Sequence, residues 1–309
     1  MKIIFMGTPD FAASSLKKLI SSKHKILGVV CQSDKKSGRG HRLQAPPCKV
    51  LALEHNIPVF QPIKLVDEDF ISSLKKLEPD LFVVVAYGKI LPKEIIELPR
   101  LGSINLHASL LPKYRGAAPI QRAIYNGEKK TGVCTMYIAE DLDAGDVIYC
   151  EETDIYPDET AGELFQRLAE IGAELLIKTV DDIENGAAPR TPQNHSMSTY
   201  ASMISKDEAM IDWNSSAWSI HCKIRAFDPW PLAATDVSNQ TLKLYSPEIL
   251  KKITSKNPGE IVAAGKQGIE FACKDGEVLL IKEIKAPGKR RMRAADWLLG
   301  NPLKIDEEK

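Results

Sequence analysis

The sequence lacks the features of a membrane or secreted protein. No run approaches the roughly eighteen apolar residues that a transmembrane helix needs, and the start, Met1–Gly7, is too short and too strand-like for a signal peptide. We therefore expect a cytoplasmic protein with no membrane partner. There is also no excess charge, with 41 Lys and Arg against 41 Asp and Glu. A neutral total does not exclude a nucleic-acid partner, because a local patch supplies the field.

Cysteine pairs and metal-ligand spacings are also missing. The six cysteines form no Cys-x-x-Cys pair and have no histidine at ligand spacing. Cys31, Cys134 and Cys150 lie in apolar strand-like runs, where a reduced cysteine packs as a small hydrophobic residue. The sequence therefore predicts neither a zinc site nor a disulfide framework.

The dinucleotide-binding fingerprint is absent from a chain that otherwise opens like a doubly wound protein. Lys2–Met6 reads as a strand and Phe11–Ile20 as a helix, but only Gly7 of a Gly-x-Gly-x-x-Gly pattern is present. Nicotinamide binding is therefore disfavoured. The continuous apolar run Leu81–Ala86 predicts a strand covered on both faces, as in a mainly parallel α/β sheet.

The length of 309 residues suits two domains. We predict a catalytic domain at 1–189, a linker at 190–206 and a C-terminal domain at 207–309. The linker prediction rests on its proline, serine and threonine content. Beyond it, short strand-like runs separated by Gly-containing turns indicate a small β-barrel.

The candidate site follows the predicted strand Ser103–His107. Alternation along a strand puts Asn105 and His107 on one face, and Pro112 ends the strand where α/β sheets bind ligands. Asp143 lies in a polar loop after the next apolar strand and could reach His107. An amide, an imidazolium and a carboxylate suit acyl transfer to an amine. Spacing alone, however, favours ordinary polar packing for an Asn-x-His pair.

The motif from Asn105 to Pro119, followed by Leu142–Asp146, resembles the signature of the folate-dependent formyltransferases. The resemblance implies a Rossmann-like domain with an OB-like C-terminal barrel, and Arg225–Pro231 matches the family's second domain. It assigns catalysis to Asn105, His107 and Asp143, with 10-formyltetrahydrofolate as donor and no metal. It also implies a set of folate contacts: Ser109, Leu110, Leu111, Pro112, Tyr87, Gly88, Ile90 and Leu91.

Two cationic stretches bear on the formyl acceptor. The loop Asp34–Lys49 leaves the second strand on the side of His107, and Lys285–Arg293 lies in the predicted barrel. Lysine and arginine there could contact a phosphate backbone, although a charge run alone favours a solvated surface. The loop resembles that of family members that formylate methionine on initiator tRNA. The predicted tRNA contacts are Lys35, Lys36, Arg39, Arg42, Lys289, Arg290, Arg291 and Arg293.

Two alternatives to this interpretation stay open. Transfer of formyl to an aminosugar nucleotide is the second enzymatic candidate. A nucleic-acid-binding protein with a vestigial catalytic domain would also carry a barrel and basic loops, although the intact Asn105, His107 and Asp143 set argues against it. A monomer is the default expectation for the oligomeric state.

Overall fold

The computed structural model describes residues 1–37, 42–303 and 305. Its contacts define two compact units. The first contains Met1–Ala117, Thr131–Thr153 and Phe165–Ala201; the second contains Ala118–Lys130, Asp154–Leu164 and Ser202–Lys309. Among the described residues, no helix combines the length and apolar composition needed to cross a bilayer.

The strands and helices are numbered along the chain. The strands as far as Ala201 are β1 (Lys2–Gly7), β2 (Lys25–Val30), β3 (Lys35–Ser37), β4 (Arg42–Gln44), β5 (Val59–Phe60), β6 (Leu81–Val85), β7 (Ser103–His107), β8 (Arg115–Gly116), β9 (Lys130–Tyr137), β10 (Val147–Asp154) and β11 (Tyr200–Ala201). The later strands are β12 (Ala234–Val237), β13 (Gln240–Ile253), β14 (Ile261–Gly265), β15 (Gly268–Ala272), β16 (Glu277–Lys285) and β17 (Met292–Arg293). The helices are α1 (Asp10–Ile20), α2 (Pro47–Glu54), α3 (Glu68–Lys76), α4 (Lys93–Ile96), α5 (Pro119–Tyr125), α6 (Ala161–Glu184), α7 (Ala217–Ala226) and α8 (Ala294–Leu298).

The first unit is built on a seven-stranded sheet in the order β10-β9-β7-β6-β1-β2-β5. The strands β7, β6, β1, β2 and β5 are mutually parallel, whereas β9 runs antiparallel to β7. All five residues of β6 are buried, as their continuous apolar character predicts. The doubly wound, mainly parallel sheet is therefore confirmed. Because these strands are parallel, the carboxyl ends of β1, β2, β6 and β7 lie along the same edge of the sheet.

The second unit contains an antiparallel sheet in the order β12-β13-β16-β15-β14, with β17 also paired to β16. The long β13 carries an irregularity at Ser246, whose φ of 48° lies in the left-handed region. The core includes Phe271, which stacks on Trp213 with ring centroids 4.5 Å apart. This sheet agrees with the predicted OB-like domain.

Cys134 and Cys150 form a disulfide, so the prediction that both are reduced is wrong. They lie on the neighbouring strands β9 and β10, with Cα atoms 4.1 Å apart. Cross-strand neighbours of this kind are fixed by the register of the pairing, which the spacing of cysteines in the sequence does not give.

The predicted linker at 190–206 is shared between the units, since residues up to Ala201 belong to the first. Its residues Tyr200 and Ala201 form β11, which pairs in parallel with β8. The backbone of this segment is therefore hydrogen-bonded as part of a small two-stranded sheet. The predicted boundaries at 189 and 207 divide the chain into consecutive segments. Each of the two compact units instead contains three separate segments of the chain.

Candidate active site

The strand β7 carries Asn105 and His107 to the carboxyl edge of the parallel sheet. Its register aligns Asn105 with Val84 of β6 and His107 with Cys134 of β9. The chain leaves the sheet after His107, as the proline-containing sequence predicts. The two side chains therefore reach the edge at which open α/β sheets bind ligands.

One nitrogen of His107 is committed to a backbone acceptor. The side chain is 6% exposed, and its Nε2 lies 2.8 Å from the carbonyl oxygen of Tyr114. A carbonyl oxygen can only accept, so Nε2 carries the hydrogen in this bond. The other nitrogen, Nδ1, takes no part in this bond.

Asp143 lies opposite that second nitrogen. Its Oδ2 is 3.6 Å from Nδ1 of His107 and accepts a 2.9 Å hydrogen bond from the backbone N–H of Gly116. Its Oδ1 is 3.4 Å from Nδ2 of Asn105. The structure therefore brings together the three residues that the sequence singled out.

The loop that delivers Asp143 is sharply folded. Asp143 itself has a φ of 49°, a conformation that is uncommon for a residue with a side chain. Gly145 follows, and a Cβ built on it would lie 1.8 Å from the carbonyl oxygen of Tyr137. Only glycine fits this close approach, which explains the glycine in the Leu142–Asp146 motif.

Sequence reasoning missed the residues that hold this loop. Gln193 is 8% exposed, and its Nε2 donates to the carbonyl oxygens of Asp143 and Gly145 at 2.9 and 2.8 Å. Its Oε1 accepts from Arg115. Gln193 lies in a Pro-flanked stretch without periodicity, and the sequence gives no signal that links it to Asp143.

The two predicted folate segments follow adjacent strands. Residues 109–112 come after β7, and residues 87–91 come after β6, so both lie at the carboxyl edge. Gly88 has a φ of 81°, and Ile90 is 79% exposed. Ser109 is buried and donates its hydroxyl hydrogen to the carbonyl oxygen of Lys113 at 2.7 Å. Gly88 and Ile90 are therefore exposed at this edge.

Tyr87 and Leu91 differ from the other predicted folate contacts, because both pack in the core of the first unit. The Tyr87 ring is 2% exposed, and burial raises the pKa of its hydroxyl to about 12. Its carbonyl oxygen accepts from Thr8 and Gln32. The structure therefore buries Tyr87 beneath this edge, with its carbonyl oxygen already hydrogen-bonded.

The cationic loop after β2 contains a short hairpin. Strands β3 and β4 pair in antiparallel fashion, with Ser37 opposite Arg42 and Lys36 opposite Leu43. Lys35 is exposed. Arg39 lies outside the described residues, as do its three neighbours at 38, 40 and 41. The hairpin begins beyond the carboxyl end of β2, on the side of His107.

The cationic turn, Lys285–Arg293, divides into free and engaged side chains. Lys289, Arg290 and Arg293 are exposed. Arg291 instead pairs with Glu283, lies 3.7 Å from Asp228 and sits 4.3 Å above the Tyr245 ring. Arg291 thereby lowers the pKa of the Glu283 carboxyl.

One group in the described part of the chain could offer a cation three ligands, namely His24, Asp181 and Glu184. Lys23 already pairs with both carboxylates at 2.9 and 3.1 Å. His24 precedes β2, so the group lies at the opposite end of the sheet from His107.

Two family models match consecutive parts of the chain. Residues 1–180 match the formyl transferase family, and residues 203–302 match the formyl transferase C-terminal domain. The methionyl-tRNA formyltransferase of Clostridioides difficile (strain 630) is 49% identical over 303 residues, which cover 98% of each chain. That of Alkaliphilus oremlandii (strain OhILAs) is 50% identical over 303 residues, covering 98% of this chain and 97% of the relative.

Solved structures show the same fold at low identity. WlaRD, a sugar 3N-formyl transferase solved in the presence of dTDP and 5-N-formyl-THF, superposes with a TM-score of 0.70 at 20% identity, covering 94% of this chain and 99% of that one. HypX from Aquifex aeolicus in complex with tetrahydrofolic acid gives a TM-score of 0.65 at 18% identity, covering 99% of this chain and 48% of that one.

Proposed function

The chain belongs to the formyl transferase family, as its motifs predicted, and from this premise we propose that it formylates initiator methionyl-tRNA. The formyl group comes from 10-formyltetrahydrofolate and is transferred to the α-amino group of methionine, in support of translation initiation. One observation carries the site assignment: Asn105, His107 and Asp143 converge at one edge of the sheet. The near full-length similarity to methionyl-tRNA formyltransferases supports the choice of acceptor.

The reaction assigns one role to each residue. The neutral amine attacks the formyl carbon, and the carbonyl oxygen becomes an oxyanion. Asn105 has a second amide hydrogen beyond the one directed at Asp143, and His107 carries a proton on Nδ1 when it is an imidazolium. Both can donate to the oxyanion. Asp143 assists transfer of the proton from the amine to the leaving nitrogen, and collapse of the intermediate releases tetrahydrofolate.

The folate donor would bind beside this trio. The loops at 87–91 and 109–112 would wall its pterin, with the exposed Ile90 providing apolar contact. Backbone groups near Gly88 would supply hydrogen bonds. For Tyr87, we propose a supporting role beneath the pterin, because the residue is buried and its carbonyl oxygen already accepts from Thr8 and Gln32.

The tRNA would contact cationic side chains on both units. Lys35, Lys36, Arg39 and Arg42 are the proposed contacts of the loop, and Lys289, Arg290 and Arg293 those of the cationic turn. Arg291 is a weaker candidate because Glu283 already holds its guanidinium. Arg42→Ala should raise the KM for tRNA and reduce the magnitude of its salt dependence by about 1 in the log–log slope. An unchanged KM and slope would remove the loop from recognition.

A competition between acceptors tests the proposal. The purified protein is given 10-formyltetrahydrofolate with initiator methionyl-tRNA, and in parallel with an aminosugar nucleotide. We expect formylmethionyl-tRNA in the first reaction and no product in the second. Formylation of the sugar alone would overturn the choice of acceptor. Binding of tRNA in a filter assay without formyl transfer would identify a binding protein with a vestigial site.

Two further properties are part of the proposal. We place the protein in the cytoplasm, where charged initiator tRNA is used, and we propose that it acts as a monomer. Sedimentation of the protein at assay concentration would test the oligomeric state.

A further inference from the structure

Residues 191–201, which we call the strap, are attached to the first unit at both ends. Thr191 exchanges two backbone hydrogen bonds with Val147, of 2.9 and 3.0 Å. At the other end, the carbonyl oxygen of Ala201 accepts from the N–H of Ala117 at 3.0 Å. The strap therefore spans from β10 to the segment just after β8, passing over the loop that carries Asp143.

Gln193 is the residue of the strap that contacts this loop. Its amide nitrogen donates both hydrogens, to the carbonyl oxygens of Asp143 and Gly145. Its amide oxygen accepts from Nη2 and Nε of Arg115 at 2.7 and 3.2 Å. One buried amide thus connects the Asp143 loop to β8. A buried amide with its donors and acceptor all satisfied rigidifies the groups it joins.

Thr199, near the other end of the strap, binds the backbone of Tyr114 and Arg115. Its Oγ1 accepts from the N–H of Tyr114 at 2.8 Å, and its carbonyl oxygen accepts from the N–H of Arg115 at 2.9 Å. The Tyr114 carbonyl oxygen orients His107, and the N–H of Gly116, two residues further along the chain, binds Asp143. Both backbone groups that orient the proposed catalytic side chains therefore lie on a segment that the strap binds.

We propose that the strap is a positioning element for formyl transfer and that Gln193 is its principal positioning residue, acting through Asp143. The inference rests on the proposed function. Asp143 holds a left-handed backbone conformation that a residue with a side chain adopts at a cost, so its loop needs external support. Gln193 supplies that support from a distant part of the sequence. A displacement of about 1 Å in a reacting group can lower the rate by about 10²-fold.

The first experiment replaces the amide while keeping its volume. Gln193→Met removes all four hydrogen bonds. The matched control is Gln166→Met, the same substitution at an exposed glutamine of α6 outside the strap. We expect kcat for formyl transfer to fall about 10- to 100-fold in Gln193→Met, while the KM values for tRNA and folate change less than about threefold. Gln166→Met should retain wild-type kcat. A folded Gln193→Met with wild-type kcat would overturn the inference.

A double-mutant cycle separates positioning from a general loss of stability. The cycle compares kcat of the wild type, Gln193→Met, Asp143→Asn and the double variant. If Gln193 acts through Asp143, its substitution costs much less in that background, because coupled residues are not additive. Full additivity would overturn the inference, even if Gln193→Met lowers the melting temperature. Gln193→Glu, which keeps the acceptor for Arg115 but faces two carbonyl oxygens, should lose at least as much kcat as Gln193→Met.

These outcomes are distinct from a failure of the proposed function. Wild-type protein and Gln166→Met must first formylate methionyl-tRNA. Absence of that activity in both would reject the proposed function, whereas activity in both and undiminished activity in the Gln193 variants would reject the inference alone.

Discussion

The cluster of Asn105, His107 and Asp143 and the cationic turn are both prominent in the sequence, but the structure treats them differently. In the first, residues separated by 38 positions converge with buried or half-buried side chains. In the second, adjacent residues diverge: Lys289 and Arg290 are exposed, and Arg291 is bound to Glu283. A motif tied to a backbone geometry therefore predicts contacts, whereas a run of like charges predicts only that charge is present.

The largest effect is expected at the imidazole of the cluster. His107→Ala should lower kcat by about 10²–10³-fold, because it removes a donor to the oxyanion. The KM for tRNA should change little. The exposed His55, replaced in His55→Ala, is the control and should retain activity. Equal activity of the two variants in steady-state formylation would show that the convergence is structural rather than catalytic.

A second substitution tests the backbone of the cluster. Gly116 has a φ of 108°, and a Cβ there would lie 2.7 Å from the Tyr200 ring and 3.0 Å from the Ala201 carbonyl oxygen. Gly116→Ala should therefore displace the N–H that binds Asp143 and lower kcat at least about 10-fold.

Gly102→Ala is the matched control for that change. Gly102 has a φ of 84° but no atom within 4 Å of a built Cβ, and it precedes β7 at the opposite end of the strand. Both variants should lose stability through backbone strain, measured by thermal unfolding. A comparable loss of kcat in Gly102→Ala would mean that strain alone, rather than the Asp143 contact, explains the effect.

A smaller effect is expected in the cationic turn, where substitutions at different residues should change different properties. Lys289→Ala with Arg290→Ala should raise the KM for tRNA several-fold at low salt and leave the melting temperature unchanged, since both side chains are exposed. Arg291→Ala should instead lower the free energy of unfolding by about 1 kcal/mol or less, as expected for exposed ion pairs. Formylation kinetics and thermal unfolding of both variants provide the check. If both variants changed the same property, the distinction between the exposed Lys289 and Arg290 and the paired Arg291 would be wrong.

The smallest expected effect concerns a buried histidine of the second unit. His221 is 5% exposed and accepts from Nε of Arg225 at 3.2 Å. Burial, and then the adjacent Arg225, lower its pKa from the usual 6.5 to about 4. The folded imidazole is therefore neutral where the unfolded one is protonated. Stability from this group is present above about pH 6.5 and is lost as pH falls toward about 4.

His221→Gln should reduce that acid-side loss. Urea unfolding at pH 7 and pH 5 is compared for the wild type and the variant, with each free energy referred to its own value at pH 7. Identical differences would show that His221 titrates normally in the folded state.

The sequence by itself determined the fold class and the identity of the clustered residues. Strand periodicity, the break at Pro112 and the apolar run Leu81–Ala86 predict the parallel sheet, because their physical causes are local. The capping pattern at the start of α6 is equally local, and Glu163 accepts from the Thr160 N–H at 2.9 Å.

Tertiary structure alone decided which distant groups meet. It placed Gln193 against the Asp143 loop, Glu283 against Arg291 and Cys134 beside Cys150. Each contact depends on register, loop path or chain reversal, which no local pattern encodes. The strap reads as a linker by composition, because its hydrogen bonds are made by backbone and by single polar side chains. Such contacts leave no periodic signal, so only the folded chain reveals them.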